Sequence, residues 1–120
     1  MTRVLVVDDE PGIVASLRRT LRREGWDLLT AAGPEEAWQR LQAEGPVDMV
    51  ISDYQMPGLT GVELLTRVVE AWPETRCVLI SGWADSVDED QLQAAGIRTM
   101  ISKPWDDAEL KTTLRDLLLV

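Results

Sequence analysis

The sequence contains no histidine, no phenylalanine and only one cysteine among its 120 residues. The absence of histidine excludes Ser-His-Asp and Cys-His catalysis, zinc sites with histidine ligands and an internal phosphohistidine. The single cysteine, Cys77, has no partner for a disulfide within the chain, which is typical of proteins in a reducing cytoplasm. We therefore expect a cytoplasmic location and none of these histidine-dependent reactions.

Positive charge is also scarce, because 12 Lys and Arg residues stand against 21 Asp and Glu residues, for a formal net charge of −9. Such a surface repels phosphate backbones and anionic lipids, so we expect no direct binding to nucleic acid or to membranes. No apolar run approaches the roughly 20 residues needed to cross a bilayer, and the N-terminus lacks a signal-peptide pattern. The length predicts a single domain over 1–120, either stand-alone or part of a longer protein.

Short apolar segments alternate five times with longer segments of helical periodicity. The predicted strands are 4–7, 27–31, 47–52, 77–80 and 97–102. The predicted helices are 13–24, 34–44, 60–72, 85–95 and a last one from residue 106 onwards. Several strands are apolar on both faces, which is typical of a parallel sheet covered by helices. Five such units favour an open, doubly wound α/β sheet, since a closed barrel needs about twice this length.

Ligands of such sheets bind beyond the carboxyl ends of the strands, and this chain places reactive groups there. Strand 1 is followed by Asp8 and Asp9, strand 3 by Asp53, strand 4 by Ser81 and strand 5 by Lys103. Three carboxylates at one edge repel one another, and a divalent cation would relieve that repulsion. Because the ligands are all oxygens, the pattern favours Mg²⁺ or Mn²⁺ over zinc. A bound cation would also make the pocket receptive to a phosphoryl group.

Three of these residues have side chains suited to phosphoryl chemistry. Asp53 stands alone on its loop and is a natural nucleophile for forming an aspartyl phosphate. Lys103, one of only two lysines, can pair with a carboxylate in one state and with a phosphoryl oxygen in another. Ser81 can donate a hydrogen bond to such an oxygen. Each residue alone would suit an ordinary surface turn, so the inference rests on their combination at matching strand ends.

Four motifs, in this order and at this spacing, closely resemble the receiver domain of bacterial two-component response regulators. They are VLVVDDEP (4–11), ISDYQMPG (51–58) with Gly61, ISG (80–82) and SKPW (102–105). The resemblance covers essentially the whole chain. It implies a flavodoxin-like three-layer sandwich whose five parallel strands lie in the order 2-1-3-4-5.

The resemblance also implies roles for individual residues. Asp53 would accept a phosphoryl group from a phosphohistidine of a sensor histidine kinase or phosphotransfer protein. Asp9, Asp53 and the backbone carbonyl of Gln55 would bind Mg²⁺ directly, with Asp8 acting mainly through metal-bound water. Lys103 and Ser81 receive the phosphoryl oxygens in this family. Such a domain assists its own phosphorylation and dephosphorylation, but it is not an enzyme in the usual sense.

A conformational switch follows from the same resemblance. Phosphorylation would draw Ser81 inward and shift the population of the face formed by the fourth helix, fifth strand and fifth helix. That face would then control an output domain or effector protein, and it is also a candidate homodimer surface.

Four positions bear on how this switch is tuned. Met100 stands where the family usually has an aromatic residue, so we do not expect a concerted aromatic swing, although a flexible Met can repack. Trp105 stands where phenylalanine is more usual. Gln55 and Trp83 lie where the family tunes dephosphorylation, and we expect Trp83 to shield the anhydride from water.

Two other classes of function remain open from the sequence. One is a receiver-like module that binds partners without being phosphorylated, but such a module has no need for the acid cluster. The other is an enzyme, such as an aspartyl-phosphate phosphatase or a flavin carrier. The phosphatase would need an Asp-x-Asp motif after strand 1, where this chain has adjacent acids, and a flavin phosphate would favour hydroxyls and backbone amides there.

Overall fold

A computed structural model describes residues 2–82, 85 and 87–119. Strands and helices alternate along these residues, as the hydrophobic pattern predicts. The strands are β1 (Arg3–Val7), β2 (Asp27–Ala31), β3 (Met49–Asp53), β4 (Arg76–Ser81) and β5 (Thr99–Ser102). The helices are α1 (Pro11–Leu21), α2 (Pro34–Glu44), α3 (Gly61–Ala71), α4 (Glu89–Ala95) and α5 (Asp107–Leu118), and a 3-10 turn over Arg22–Glu24 extends α1.

The strands form one parallel sheet in the order β2-β1-β3-β4-β5, which confirms the predicted fold class and strand order. The chain reverses its direction of winding between β1 and β3, which are neighbours in the sheet. Val7 pairs with Ser52 across these two strands, so Asp8 and Asp53 follow at adjacent positions. This is the topological switch point, where open α/β sheets bind their ligands.

The two faces of the sheet carry separate hydrophobic cores. Successive β1 residues alternate between them: Leu5 and Val7 belong to the core under α2 and α3, and Val4 and Val6 to the core under α1 and α5. The second core is completed by helix residues Leu17, Leu21, Leu110 and Leu114. Because both faces are covered, the central strand residues are apolar on both sides of the sheet, and the result is the expected three-layer sandwich.

The residues predicted to begin and end the helices make the expected capping interactions. The Thr60 hydroxyl accepts a hydrogen bond from the Glu63 N–H (3.2 Å), and the Glu63 carboxylate accepts one from the Thr60 N–H (3.0 Å), as in a capping box. The Asp106 carboxylate accepts one from the Glu109 N–H (2.9 Å) at the start of α5. Gly25, with φ of +79°, takes the left-handed conformation that ends the first helical segment.

The fourth helix is shorter than predicted, and this is a correction. The pattern placed its start near Asp85, whereas α4 begins at Glu89, after Asp88. The Asp85 carboxylate instead accepts a hydrogen bond from the Gly82 N–H (2.8 Å), and Asp88 caps α4. Short acidic side chains bond to local backbone amides in turns as readily as at helix starts, so charge alone did not locate the boundary. The fifth strand likewise begins at Thr99, two residues later than predicted.

Two expectations drawn from composition can be compared with the structure. Cys77 is a free, fully buried thiol, and burial raises its pKa to about 12, so it packs as a small apolar residue. None of the helices in the described ranges has the length and apolar character to cross a bilayer. The cytoplasmic location itself stays a prediction.

Candidate functional site

The carboxyl ends of four strands bring the predicted residues to one edge of the sheet. Asp8 follows β1, and its N–H donates to the carbonyl of Ala31 (3.1 Å). Asp53 and Ser81 are the last residues of β3 and β4. Lys103 follows β5, and its N–H donates to the Ser81 carbonyl (2.9 Å). We refer to Asp8, Asp53, Ser81 and Lys103 as the carboxyl-edge site.

One ammonium group, that of Lys103, lies within 3.8 Å of three carboxylates at this edge. The Nζ atom of Lys103 lies 2.9 Å from Oδ1 of Asp53 and 3.8 Å from Oδ2 of Asp8. It also lies 3.8 Å from Oε1 of Glu10, a more exposed residue that sequence reasoning did not select. The local charge balance is therefore negative.

Burial makes this imbalance energetically unfavourable. Asp8 and Asp53 are only 3% and 4% exposed. Burial raises the pKa of Asp8 to about 6, with the charge of Asp53 adding to the rise, although a hydrogen bond from the Glu10 N–H and the charge of Lys103 oppose it. Burial likewise raises the pKa of Asp53, and it outweighs the hydrogen bond and charge of Lys103. Both side chains are thus harder to ionise than exposed carboxyls.

The environment that disfavours the charged form of the two aspartates favours the charged form of Lys103. Burial alone would lower the pKa of Lys103, but its hydrogen bond to Asp53 and the surrounding negative charge raise it overall. The ammonium group is therefore held in its charged form by the acids around it.

A buried oxygen of Asp8 indicates that this edge fits a cation. Oδ1 of Asp8 accepts a hydrogen bond from the Glu10 N–H (2.9 Å), but the buried Oδ2 has no hydrogen-bond partner in the described part of the chain. Carboxylate oxygens of Asp8, Glu10 and Asp53 all lie within 4.8 Å of one another. Unsatisfied buried polar atoms are uncommon, and an oxygen-only donor set suits a hard divalent cation.

The other predicted metal ligands lie beside this cluster. Asp9 and Gln55 are exposed and line an adjoining open hollow of about 410 Å³. The charge of Asp9 contributes to the raised pKa of Asp53, so the two carboxyls interact. Among the described residues, Glu10 and not Asp9 joins Asp8 and Asp53 in the close carboxylate group. The sequence analysis selected Asp9 through the family resemblance, and the run of consecutive acids itself offered no signal that Glu10 would lie closer to Asp8 and Asp53.

Gly61 explains how the loop after β3 folds back onto the site. The Gly61 N–H donates to the Tyr54 carbonyl (2.8 Å). A Cβ atom at Gly61 would lie 2.2 Å from the backbone oxygen of Asp53 and 2.7 Å from a Leu79 methyl group. Since no side chain fits there, glycine is required for the β3–α3 loop to close tightly behind Asp53.

Ser81 makes a contact that the sequence did not predict. Its hydroxyl donates to the thioether sulfur of Met100, with Oγ and Sδ 3.1 Å apart. Met100 pairs with Leu79 across β4 and β5, two positions before Ser81 pairs with Ser102. The residue that replaces the expected aromatic therefore touches the end of β4 directly.

Trp105 joins the loop after β5 to the first helix through its indole group. The indole N–H of Trp105 donates to a carboxylate oxygen of Asp107 (3.1 Å), which also accepts a hydrogen bond from the Thr20 hydroxyl (3.0 Å). These bonds connect the β5–α5 loop to α1 beside Lys103. Trp83 lies outside the described residues, so its shielding role stays a prediction.

Comparison with known proteins gives a consistent result. Residues 4–115 match the family model described as "Response regulator receiver domain". The hydrogenase transcriptional regulatory protein HoxA of Cupriavidus necator is 45% identical over 113 residues, which cover 93% of this chain and 23% of that protein. The transcriptional regulatory protein KdpE of Mycobacterium tuberculosis is 36% identical, over 96% of this chain and 50% of that protein. The chain thus spans at most half the length of these two relatives.

Among solved structures, the response regulator protein TrrA from Thermotoga maritima, in complex with Mg²⁺ and BeF, is similar to this chain. The two are 32% identical with a TM-score of 0.85, and the match covers 98% of this chain and 99% of the other.

Proposed function

The chain belongs to the response regulator receiver family, and from that premise we propose that Asp53 is the phosphoacceptor of a Mg²⁺-dependent signalling switch. Receiver domains act in two-component systems as phosphorylation-dependent switches and not as enzymes in the usual sense. The observation that carries the proposal is the buried Asp53 carboxylate, 2.9 Å from the Lys103 ammonium at the switch-point edge. A carboxylate held there beside one cation is placed to act as a nucleophile.

The proposed transfer needs little from the protein beyond position and charge. A carboxylate oxygen of Asp53 forms a bond to phosphorus as the bond from phosphorus to the partner's histidine nitrogen breaks, and the histidine leaves with the electron pair and takes up a proton. Lys103 then exchanges its contact with Asp53 for a phosphoryl oxygen, and Ser81 donates a hydrogen bond to another.

Mg²⁺ fits this proposal as the resident cation. We infer that Asp9, Asp53 and the Gln55 carbonyl bind it directly, with Asp8 acting through metal-bound water. The unsatisfied buried oxygen of Asp8 and the oxygen-only donor set support a cation at this edge, whereas the direct roles of Asp9 and Gln55 rest on the family pattern. Bound Mg²⁺ (or Mn²⁺) would neutralise charge on the acids and on the phosphoryl oxygens. Glu10 is a further acidic neighbour of the site.

The partners follow from the same chemistry. These 120 residues contain no histidine, so the phosphohistidine lies outside them, and we infer that it belongs to a sensor histidine kinase or phosphotransfer protein. We infer that the face formed by α4, β5 and α5 controls an output domain or effector, or mediates a homodimer. The longer relatives HoxA and KdpE, which are named as transcriptional regulators, support control of an output domain.

Intact mass after incubation with Mg²⁺ and acetyl phosphate tests the phosphoacceptor. We expect the wild-type protein to gain the mass of one phosphoryl group, and to lose that gain when EDTA replaces Mg²⁺. Asp53→Asn should gain nothing. Asp48→Asn is the matched control, because Asp48 is a half-buried acid at the opposite edge of the sheet, and it should behave as wild type.

Two outcomes would contradict the proposal. An equal adduct on Asp53→Asn would place the phosphoryl group on another residue. No adduct on the wild type, together with no response to beryllofluoride and Mg²⁺, would favour the module that binds partners without phosphorylation.

A further inference from the structure

The Met100 sulfur accepts a hydrogen bond from the Ser81 hydroxyl. This contact can affect the equilibrium between the unphosphorylated and phosphorylated conformations. We propose that Met100 restrains Ser81 in the unphosphorylated state, so that a phosphoryl group on Asp53 must break the Ser81–Met100 hydrogen bond to engage Ser81. The inference rests on the proposed role of Asp53 and concerns how phosphorylation reaches the neighbouring face.

The Ser81–Met100 contact is closer than the other serine–methionine contact among the described residues. The Ser81 Oγ to Met100 Sδ distance is 3.1 Å. A second serine–methionine contact, from Ser52 Oγ to Met56 Sδ, measures 4.0 Å, and Ser52 also donates to the backbone oxygen of Asp53 (3.0 Å). Among the described residues, Ser81 has the Met100 sulfur as its hydroxyl acceptor. The thioether therefore holds the Ser81 hydroxyl in one orientation.

The surroundings of Met100 connect this hydrogen bond to the α4 side of the sheet. Met100 is half-buried and packs on the core beneath α3, as do Val87 and Leu92 from the segment around α4. Its Cα pairs with that of Leu79, a fully buried residue of the same core. When the sulfur loses its hydrogen bond to Ser81, Met100 becomes free to repack at this edge, because an unbranched thioether side chain adapts easily.

The Met100 sulfur and a phosphoryl oxygen compete for the single hydrogen bond that the Ser81 hydroxyl can donate. A serine hydroxyl has a single hydrogen to donate, so Ser81 can bond to the sulfur or to a phosphoryl oxygen but not to both. The charged oxygen is the stronger acceptor, and it wins at the expense of the Met100 contact. The coupling is reciprocal: the factor by which a bound phosphoryl group weakens the Ser81–Met100 hydrogen bond is also the factor by which that hydrogen bond weakens binding of the phosphoryl group.

Replacing the sulfur while keeping the side-chain volume isolates this effect. In Met100→Leu the acceptor is gone and packing is largely retained, so beryllofluoride with Mg²⁺ should bind about two- to tenfold more tightly than to wild type. A titration followed by tryptophan emission measures this affinity. Met49→Leu is the matched control, because Met49 is fully buried at the other end of β3, and its affinity should equal that of wild type.

A double-mutant cycle separates restraint of Ser81 from a general change in packing. In a Ser81→Ala background, Met100→Leu should no longer change the affinity, since there is no hydroxyl left to restrain. If the affinity gain persists in that background, or if Met100→Leu alone binds no more tightly than wild type, the restraint is overturned.

A second variant covers the case in which Met100→Leu is poorly folded. The side-chain carbonyl of Met100→Gln is a stronger acceptor than a thioether, so it should hold Ser81 more firmly and weaken beryllofluoride binding. Tighter binding by Met100→Gln would contradict the proposal. A wild-type protein that does not bind beryllofluoride at all would instead refute the phosphoacceptor role of Asp53.

Discussion

At the amino-terminal edge of the sheet, Arg3 lies 3.6 Å from the carboxylate of Asp27 and 3.3 Å from that of Glu44, and its backbone N–H donates to Asp48 (2.8 Å). At the carboxyl edge, Lys103 lies among two buried aspartates and one exposed glutamate. Both edges use the same kinds of charged groups. They differ in burial, and the carboxyl edge holds a buried carboxylate oxygen, Oδ2 of Asp8, that has no hydrogen-bond partner in the described part of the chain.

The difference shows which acids of this acidic chain are suited to binding. Partly exposed pairs are solvated by water and contribute little to stability, so they need no further ligand. Buried carboxylates in excess of their cations destabilise the folded protein until a ligand compensates them. Charge alone therefore does not mark the site, whereas the burial of Asp8 and Asp53 around one lysine does.

The largest expected effect comes from removing the buried charge of Asp8. In the absence of Mg²⁺ near pH 7, Asp8→Asn should raise the free energy of unfolding by about 1–3 kcal/mol, because burial raises the pKa of Asp8 to about 6 and so disfavours its charged form. Urea unfolding of both proteins measures the change. A variant no more stable than wild type would remove the contrast between the two edges.

The same residue should give the comparison a pH dependence. The folded protein holds the Asp8 proton up to about pH 6, while the unfolded chain releases it near the ordinary value of 3.8. Between these values the folded state binds more protons, so this contribution to stability falls as pH rises. The stability difference between Asp8→Asn and wild type should thus grow from about pH 4 to about pH 6 and then level off. A difference that is constant across this range would contradict the raised pKa.

A smaller effect of opposite sign is expected at the amino-terminal edge. Asp48→Ala removes the acceptor of the Arg3 N–H and should lower the free energy of unfolding by about 0.5–1.5 kcal/mol. The same urea measurement applies. If Asp48→Ala were instead stabilising, acids at the two edges would not differ in kind.

Much of the fold and of the site arrangement could be predicted because, in a parallel sheet, the order of residues along each strand determines the edge at which they lie. Residues that follow parallel strands must meet at one edge, so the placement of Asp8, Asp53 and Lys103 required only correct strands. The start of α4 could not be predicted in the same way. Asp85 and Asp88 both suit a helix start or a turn, and the choice between them is made by the Gly82 N–H, which bonds to Asp85.

The Ser81–Met100 hydrogen bond was beyond sequence reasoning for a different reason. It joins residues 19 apart through the register of β4 against β5, and a change of one residue in that register would turn Met100 to the other face. Glu10 was missed because nothing local distinguishes it from Asp9.

We infer that the excess negative charge of the carboxyl edge serves to bind a divalent cation. Thermal unfolding as a function of Mg²⁺ concentration, at constant ionic strength, tests it most directly in the wild type, Asp8→Asn and Asp48→Asn. The wild type and Asp48→Asn should gain stability with each increase in Mg²⁺ above its dissociation constant, and Asp8→Asn should gain markedly less. An equal gain in all three proteins, or none in the wild type, would contradict the claim.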